Sequence, residues 1–111
     1  MAPSIQIIKN RNTILQVRKK GRFIKGKNFN MHFLEDNNLN QIVFVGYIAT
    51  KKLGNAVRRN KAKRLLRELA RKVLIKYCKI NYYYVLIAKN SIFDTSFSIL
   101  ENELKELIND I

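Results

Sequence analysis

The chain is poor in the residues on which many enzymes and small secreted domains depend. Its 111 residues include one cysteine, one histidine, one proline and no tryptophan. The single cysteine, Cys78, excludes an intrachain disulfide and a paired-cysteine metal site. No stretch approaches the roughly 20 apolar residues of a membrane span, and the apolar run from Ile5 to Ile8 is too short for a signal peptide. We therefore expect a cytoplasmic protein without a membrane partner.

Acidic residues are also scarce, which limits the chemistry that the chain can perform. Only 8 residues are Asp or Glu, and five of them lie between residues 90 and 111. Metal-assisted phosphodiester cleavage by a protein requires clustered carboxylates, and the lone histidine and cysteine make a poor nucleophile–base pair. No glycine-rich phosphate loop occurs. We expect no catalytic residue and no metal site on the protein itself.

Positive charge is what the chain has in excess. Its 22 Lys and Arg residues give a net charge of +14, and residues 51–79 hold twelve of them against one acid, Glu68. Nucleic acid is the most economical partner for such a surface, and an anionic membrane is a distant second. Because 47% of the residues are hydrophobic, a packed core is affordable. We predict one RNA-binding domain over residues 1–111, monomeric, with residues 1–9 as a candidate flexible basic tail.

Hydrophobic periodicity predicts the order αββαβα, with room for one further short strand, and hence a small α+β domain with helices packed on a sheet. The strands at 27–34 and 41–50 are close enough to pair as a hairpin, and Asn28, Asn30 and His32 share the polar face of the first. Asp94 or Thr95 is placed to cap the last helix. The predicted helices span residues 11–20, 56–77 and 96–109, and a third strand spans 82–89.

The helix over 56–77 separates an apolar stripe from a basic one. Ala62, Leu66, Leu69, Ala70, Val73 and Tyr77 form the predicted buried stripe. Asn60, Arg64, Arg67 and Arg71 fall on the opposite side, where arginine forks suit phosphate oxygens. Gly54 and Asn55 precede the helix, and Asn55 serves either as a simple cap or as a phosphate contact. The pattern predicts a nucleic-acid-binding face.

The run from Lys51 to Glu68 resembles the signature of the protein subunit of bacterial ribonuclease P. It reads Lys-Lys-Leu-Gly-Asn-Ala-Val-Arg-Arg-Asn-Lys-Ala-Lys-Arg-Leu-Leu-Arg-Glu. The resemblance extends to Gly46 before the run and to Ile87-Ala88-Lys89 after it. It implies a four-stranded sheet with three helices and a left-handed βαβ crossover through the basic helix, similar to the second domain of a small-subunit ribosomal protein. The general rule for such crossovers favours the right hand.

The resemblance also implies a function. The family's holoenzyme removes the 5′ leader of precursor tRNA; the RNA subunit carries the Mg²⁺-dependent chemistry, and the protein, with no cofactor of its own, binds that RNA and the leader. The family's Arg-Asn-Arg motif falls on Arg59, Asn60 and Lys61, where lysine keeps the charge but loses the bidentate fork. The positions implied for binding the RNA subunit are Lys51, Lys52, Asn55, Arg58, Arg59, Asn60, Lys61, Lys63, Arg64, Arg67 and Arg71. Those implied for the leader cleft are Ile14, Arg18, Asn28, Asn30, His32 and Lys89.

Two other functions are compatible with a basic α+β domain. One is a non-catalytic ribosomal or RNA-assembly protein on a related fold. The other is a DNA-binding domain that places residues 56–77 in a major groove, although such domains more often show two short helices joined by a compact turn, which is not visible here. The start of the basic helix favours the ribonuclease P assignment.

Overall fold

A computed structural model describes residues 4–111. Five strands form one mixed sheet: β1 (Ile5–Ile7), β2 (Arg22–Ile24), β3 (Phe29–Glu35), β4 (Val43–Ile48) and β5 (Tyr82–Ala88). Three helices accompany it: α1 (Arg11–Lys20), α2 (Ala56–Tyr77) and α3 (Phe97–Asn109). Short 3₁₀ turns at Asn37–Leu39, Lys51–Leu53 and Asn90–Asp94 complete the chain. The α+β class and the three predicted helices are confirmed. Within residues 4–111, none of the helices has the length and apolar character of a membrane span.

The strand order across the sheet is β1-β4-β5-β3-β2. The first three strands in that order run parallel, whereas β3 is antiparallel to both β5 and β2. The predicted hairpin between the strands at 27–34 and 41–50 is therefore wrong, because β5 lies between them. The β4–α2–β5 unit is a parallel crossover, as the resemblance implied; its handedness stays a prediction.

The sheet has five strands rather than about four because two very short strands extend its edges. Strand β1 covers residues that the sequence assigned to a flexible tail, and Ile8, directly after it, is buried. That assignment is corrected for residues 5–8, while residues 1–3 lie outside the described residues. Strand β2 pairs Phe23 with His32 of β3. Three-residue strands carry too little alternation to be recognised from the sequence.

Two apolar layers hold the helices on opposite faces of the sheet. On one face, Phe29, Met31 and Phe33 pack with α2 and α3 in the larger core. On the other face, Val17 of α1 packs with Ile8 and Val85. Within α2 the buried set ends at Leu74, whereas the predicted Tyr77 is 39% exposed. The cap of α3 is Ser96 rather than Asp94 or Thr95. The Thr95 hydroxyl donates to Ser91 O at 2.8 Å and lies 3.0 Å from Asn28 Oδ1.

Candidate nucleic-acid interface

A groove of about 550 Å³ lies between α1 and the beginning of α2. Its floor is the end of β4, at Ile48, and the residue after it, Ala49. Helix α1 forms one wall with Ile14 and Leu15, and α2 forms the other. The groove thus combines an apolar floor with walls from two basic helices. Its charged lining residues are Arg11, Arg18, Lys51, Arg59 and Lys63.

The electrostatics of this groove are one-sided. Five cationic side chains line it, and among the described residues no acidic one does. In the part of the chain that the structure describes, the ion pair is Lys72 with Glu101, 3.5 Å apart and outside the groove. The Nε atom of Arg59 is buried and has no hydrogen-bond partner among the described residues. The five cations favour a bound polyanion, since no carboxylate among the lining residues neutralises them.

The turn before α2 fixes the direction of these side chains. The Asn55 side chain accepts a hydrogen bond from Arg58 N at 3.1 Å, so Asn55 caps the helix as the sequence suggested. Gly54 has a φ of +120°, and a Cβ there would lie 2.9 Å from Arg58 Cδ. Only glycine suits this position without strain. Arg58 Nε donates to Leu53 O at 2.7 Å, and Lys51 and Arg59 face the groove on either side of this turn.

Four basic residues of α2 divide between two grooves. Arg59 and Lys63, rather than Asn60 and Arg64, line the groove described above. A second groove, of about 290 Å³, is lined by Arg67, Arg71 and apolar side chains from β1 and β4. Tyr47 lines both grooves, so the cationic surface continues around it. The predicted stripe of Asn60, Arg64, Arg67 and Arg71 is exposed throughout, together with Lys52, Asn55, Arg58, Lys61 and Lys63.

Lys61 and Arg58 lie on a different side of α2. The Arg58 guanidinium carbon lies 4.3 Å from the centroid of the Phe93 ring, and Lys61 Nζ lies 6.0 Å from the same centroid. Neither side chain lines the groove between α1 and α2. The three positions of the family motif therefore face different surroundings, and Arg59 is the one directed at the groove.

The predicted leader-binding residues are distributed over the groove, the sheet face that carries α1 and the loop between β2 and β3. Ile14 and Arg18 line the groove. Asn30 Oδ1 accepts from Gly26 N at 3.2 Å, and Lys89 Nζ donates to Gly26 O, so both hold the loop between β2 and β3. His32 lies on the same sheet face as α1, with its ring centroid 4.8 Å from that of Phe23.

The surroundings of Asn28 exclude it as a leader-binding residue. The residue is 1% exposed. Its Nδ2 donates to Glu103 Oε1 at 2.7 Å, and its backbone N donates to Glu103 Oε2 at 2.9 Å. It precedes β3, so the alternation that placed it with Asn30 and His32 does not apply. The side chain joins the loop to α3 and is unavailable to a ligand.

The environment of His32 keeps its ring neutral near pH 7. Burial lowers the pKa of the imidazole below its usual 6.5, and the positive charge of Arg18 lowers that pKa further. The Nδ1 atom is buried and has no hydrogen-bond partner among the described residues. A phosphate close to this ring would oppose both effects, because a negative charge favours the imidazolium form.

Several residues at the interface were missed from the sequence. Arg11 lines the groove, and its place in the first turn of a basic helix was the available signal. Phe23 is 51% exposed beside His32, but it belongs to the strand that the sequence did not reveal. Tyr47 was read as part of an apolar strand. No group of three or more His, Cys, Asp or Glu side chains in the described residues is placed to hold a metal ion.

The sequence and the fold both resemble those of known proteins. The family model described as Ribonuclease P matches residues 3–111. The ribonuclease P protein component of Symbiobacterium thermophilum is 35% identical over 100 residues, covering 90% of this chain and 85% of that protein. That of Caulobacter vibrioides is 44% identical over 63 residues, covering 57% of this chain and 42% of that protein. The Staphylococcus aureus RNase P protein structure superposes with a TM-score of 0.76 at 27% identity, over 93% of this chain and 92% of that one.

Proposed function

The chain belongs to the family of bacterial ribonuclease P protein components, and on that premise we propose that it binds the catalytic RNA subunit of ribonuclease P and the 5′ leader of precursor tRNA. In this role it assists the endonucleolytic removal of the leader. The observation that carries the proposal is the groove between α1 and α2, which is lined by five cationic side chains and, within residues 4–111, by no acidic one. Such a groove can follow a single-stranded phosphate backbone.

The division of labour between protein and RNA belongs to the proposal. The protein would act as a monomer and supply positioned cations, while the RNA subunit would bind the Mg²⁺ ions and carry out the cleavage. Arg59 and Lys63 lie one helical turn apart on α2, and Arg18 faces them from α1. A strand of RNA in this groove would contact both helices, which would hold the leader relative to the RNA subunit.

The test is a reconstitution of cleavage at low Mg²⁺ concentration. Precursor tRNA is incubated with the protein alone, with the RNA subunit alone, and with both. We expect rapid cleavage at the mature 5′ end only with both components. Cleavage by the protein alone would contradict the assignment of chemistry to the RNA. A protein that leaves the activity of the RNA unchanged would instead indicate a ribosomal or RNA-assembly protein.

Salt dependence gives an independent measure of the phosphate contacts. With roughly 6–10 contacts, affinity for the RNA subunit should fall about 10³–10⁵-fold between ~50 and ~200 mM salt. The measurement is a filter-binding or fluorescence titration at several salt concentrations. A flat response would contradict phosphate binding by this surface.

A further inference from the structure

Helix α1 divides its face of the sheet into two open regions. Gly46 and Val85, paired across β4 and β5, lie beneath it. A Cβ on Gly46 would lie 3.4 Å from Ile8 Cδ1 and 3.5 Å from Ile14 Cδ1, which shows how closely this layer packs. Ile48 lies on one side of this row and borders the cationic groove. The opposite side of α1 carries a separate groove.

The groove on this opposite side of α1 has an aromatic floor. Phe44 and Tyr83 are register partners on β4 and β5, with ring centroids 5.5 Å apart and planes inclined by 26°. Both rings are partly exposed. The groove above them measures about 300 Å³ and is also lined by Gln6, Lys9, Asn10 and Thr13. This size is at the lower end of the range for small-ligand sites.

The openness of this aromatic pair distinguishes it from another pair in the same sheet. Tyr82 and Tyr84 also stack, with centroids 5.6 Å apart, but Tyr84 is fully buried beneath the helices of the opposite face. That pair stabilises the core. Phe44 and Tyr83 instead present their rings to a groove with polar walls, which is the form of a base-stacking platform in proteins that bind single-stranded nucleic acid.

The charges at the two ends of the groove favour one orientation of a bound nucleotide. Lys9 stands on its wall and can contact a phosphate. At the Tyr83 end, burial and the carboxylate of Asp36 raise the pKa of the phenol, so its hydroxyl stays neutral and can donate a hydrogen bond. A phosphate is therefore favoured near Lys9 and disfavoured near Asp36. A nucleotide would lie with its backbone toward Lys9 and its base over the two rings.

We propose that the groove floored by Phe44 and Tyr83 binds one unpaired RNA nucleotide, with its base stacked on the two rings and its phosphate near Lys9. The inference rests on the proposed RNA-binding function and adds a contact point beyond the cationic groove. The nucleotide could come from the precursor's leader or from an unpaired segment of the RNA subunit, and both present the same chemistry. The test separates these two sources.

A tryptophan placed in the floor reports occupancy directly, because the chain contains no tryptophan of its own. In Tyr83→Trp, stacking of a base should quench the indole fluorescence. The variant is titrated with the RNA subunit, then assembled with it into the holoenzyme and given precursor tRNA or mature tRNA. Quenching by the RNA subunit alone identifies that source, and quenching by precursor but not mature tRNA identifies the leader. No quenching in any arm would overturn the inference.

Leucine variants measure the contribution of the platform. Phe44→Leu and Tyr83→Leu remove a stacking ring and keep an apolar side chain, so affinity for the RNA that quenches Tyr83→Trp should fall roughly tenfold with an unchanged salt slope. Lys9→Ala should lower the slope by about one. Tyr83→Trp should restore the affinity, and Tyr82→Leu, on the covered face, is the matched control. Wild-type affinity in both Phe44→Leu and Tyr83→Leu would overturn the inference.

The proposed function is tested separately in the same samples. Thermal unfolding first establishes that each variant is folded; should a leucine variant unfold, the fluorescence of Tyr83→Trp decides the question alone. If the wild-type protein fails to stimulate cleavage by the RNA subunit, the proposed function fails. If it stimulates cleavage while all platform variants bind like wild type, only the aromatic platform is refuted.

Discussion

Arg58 and Phe93 join the turn before α2 to the 3₁₀ turn that follows β5. The guanidinium carbon of Arg58 lies 4.3 Å from the centroid of the Phe93 ring, and Arg58 Nε donates to Leu53 O at 2.7 Å. A guanidinium over an aromatic face is attracted by the ring quadrupole. The two contacts hold this basic residue in the protein's own structure, which favours a role in fixing the turn over direct RNA contact.

Loss of the contact between Arg58 and Phe93 should therefore lower the stability of the protein while leaving the charge of its surface unchanged. We expect Phe93→Leu to lower the free energy of unfolding by about 1 kcal/mol, measured by urea denaturation. A double-mutant cycle with Arg58→Lys should give a coupling of about 0.5–2 kcal/mol. Because Arg58→Lys keeps the charge, the salt slope of RNA binding should not change. Additive effects of the two substitutions would contradict a direct interaction.

Arg59 and Lys61 should differ in their importance for RNA binding, although each contributes one charge to the same motif. Arg59 lines the groove, whereas Lys61 faces Phe93. We expect Arg59→Ala to weaken binding of the RNA subunit at least tenfold and to lower the salt slope by about one, with a clearly smaller effect for Lys61→Ala. Filter binding at several salt concentrations measures both quantities.

The matched control for this comparison is Lys76→Ala. It removes the same charge from the far end of α2, where Lys76 lies beside α3 and outside both basic grooves. Equal losses in all three variants would show that total charge, rather than the position of Arg59, determines affinity.

The two basic helices could be predicted with their bounds because their ends are encoded locally. Asn10 and Asn55 accept hydrogen bonds from the first turns of α1 and α2, and asparagine is a preferred cap. The strand order could not be obtained in this way. It depends on β5, distant in sequence, entering between β3 and β4. Sequence neighbours pair often, but not always, and nothing local excludes the hairpin.

The candidate site was predictable in composition but not in arrangement. Helical periodicity placed Arg67 and Arg71 on an exposed stripe, which is confirmed. Periodicity describes one helix at a time, so it could not reveal that α1 would face Arg59 and Lys63 rather than Asn60 and Arg64. Asn28 illustrates the same limit, since its partner, Glu103, is 75 residues away.

Glu103 should be a structural residue despite its charge. It accepts two hydrogen bonds from the buried Asn28, and hydrogen bonds to a charged group contribute about 1.5–3 kcal/mol. We expect Glu103→Ala to lower the free energy of unfolding by about 2 kcal/mol, measured by urea denaturation, with little change in RNA affinity. Glu106→Ala, which removes an exposed acid from the same helix, is the control. A loss equal to that of the control would contradict this assignment.

His32 should make RNA binding depend on pH if RNA phosphates approach its ring. In the unbound protein its pKa is lowered by burial and by Arg18, so folding disfavours the protonated ring. The contribution to stability is complete above pH ~6.5 and is lost as the pH falls from that value through the lowered pKa. Nearby phosphates act in the opposite direction and raise the pKa in the complex.

RNA binding is then accompanied by proton uptake at His32, and affinity for RNA should increase as the pH falls below ~6.5. Fluorescence titrations at several values between pH ~5.5 and ~7.5 measure this dependence in the wild type and in His32→Gln. Since the chain has no other histidine, the increase should disappear in His32→Gln. Urea denaturation of both proteins at each pH establishes that they are folded. An increase of the same size in His32→Gln would assign the proton to another group and place the phosphates away from His32.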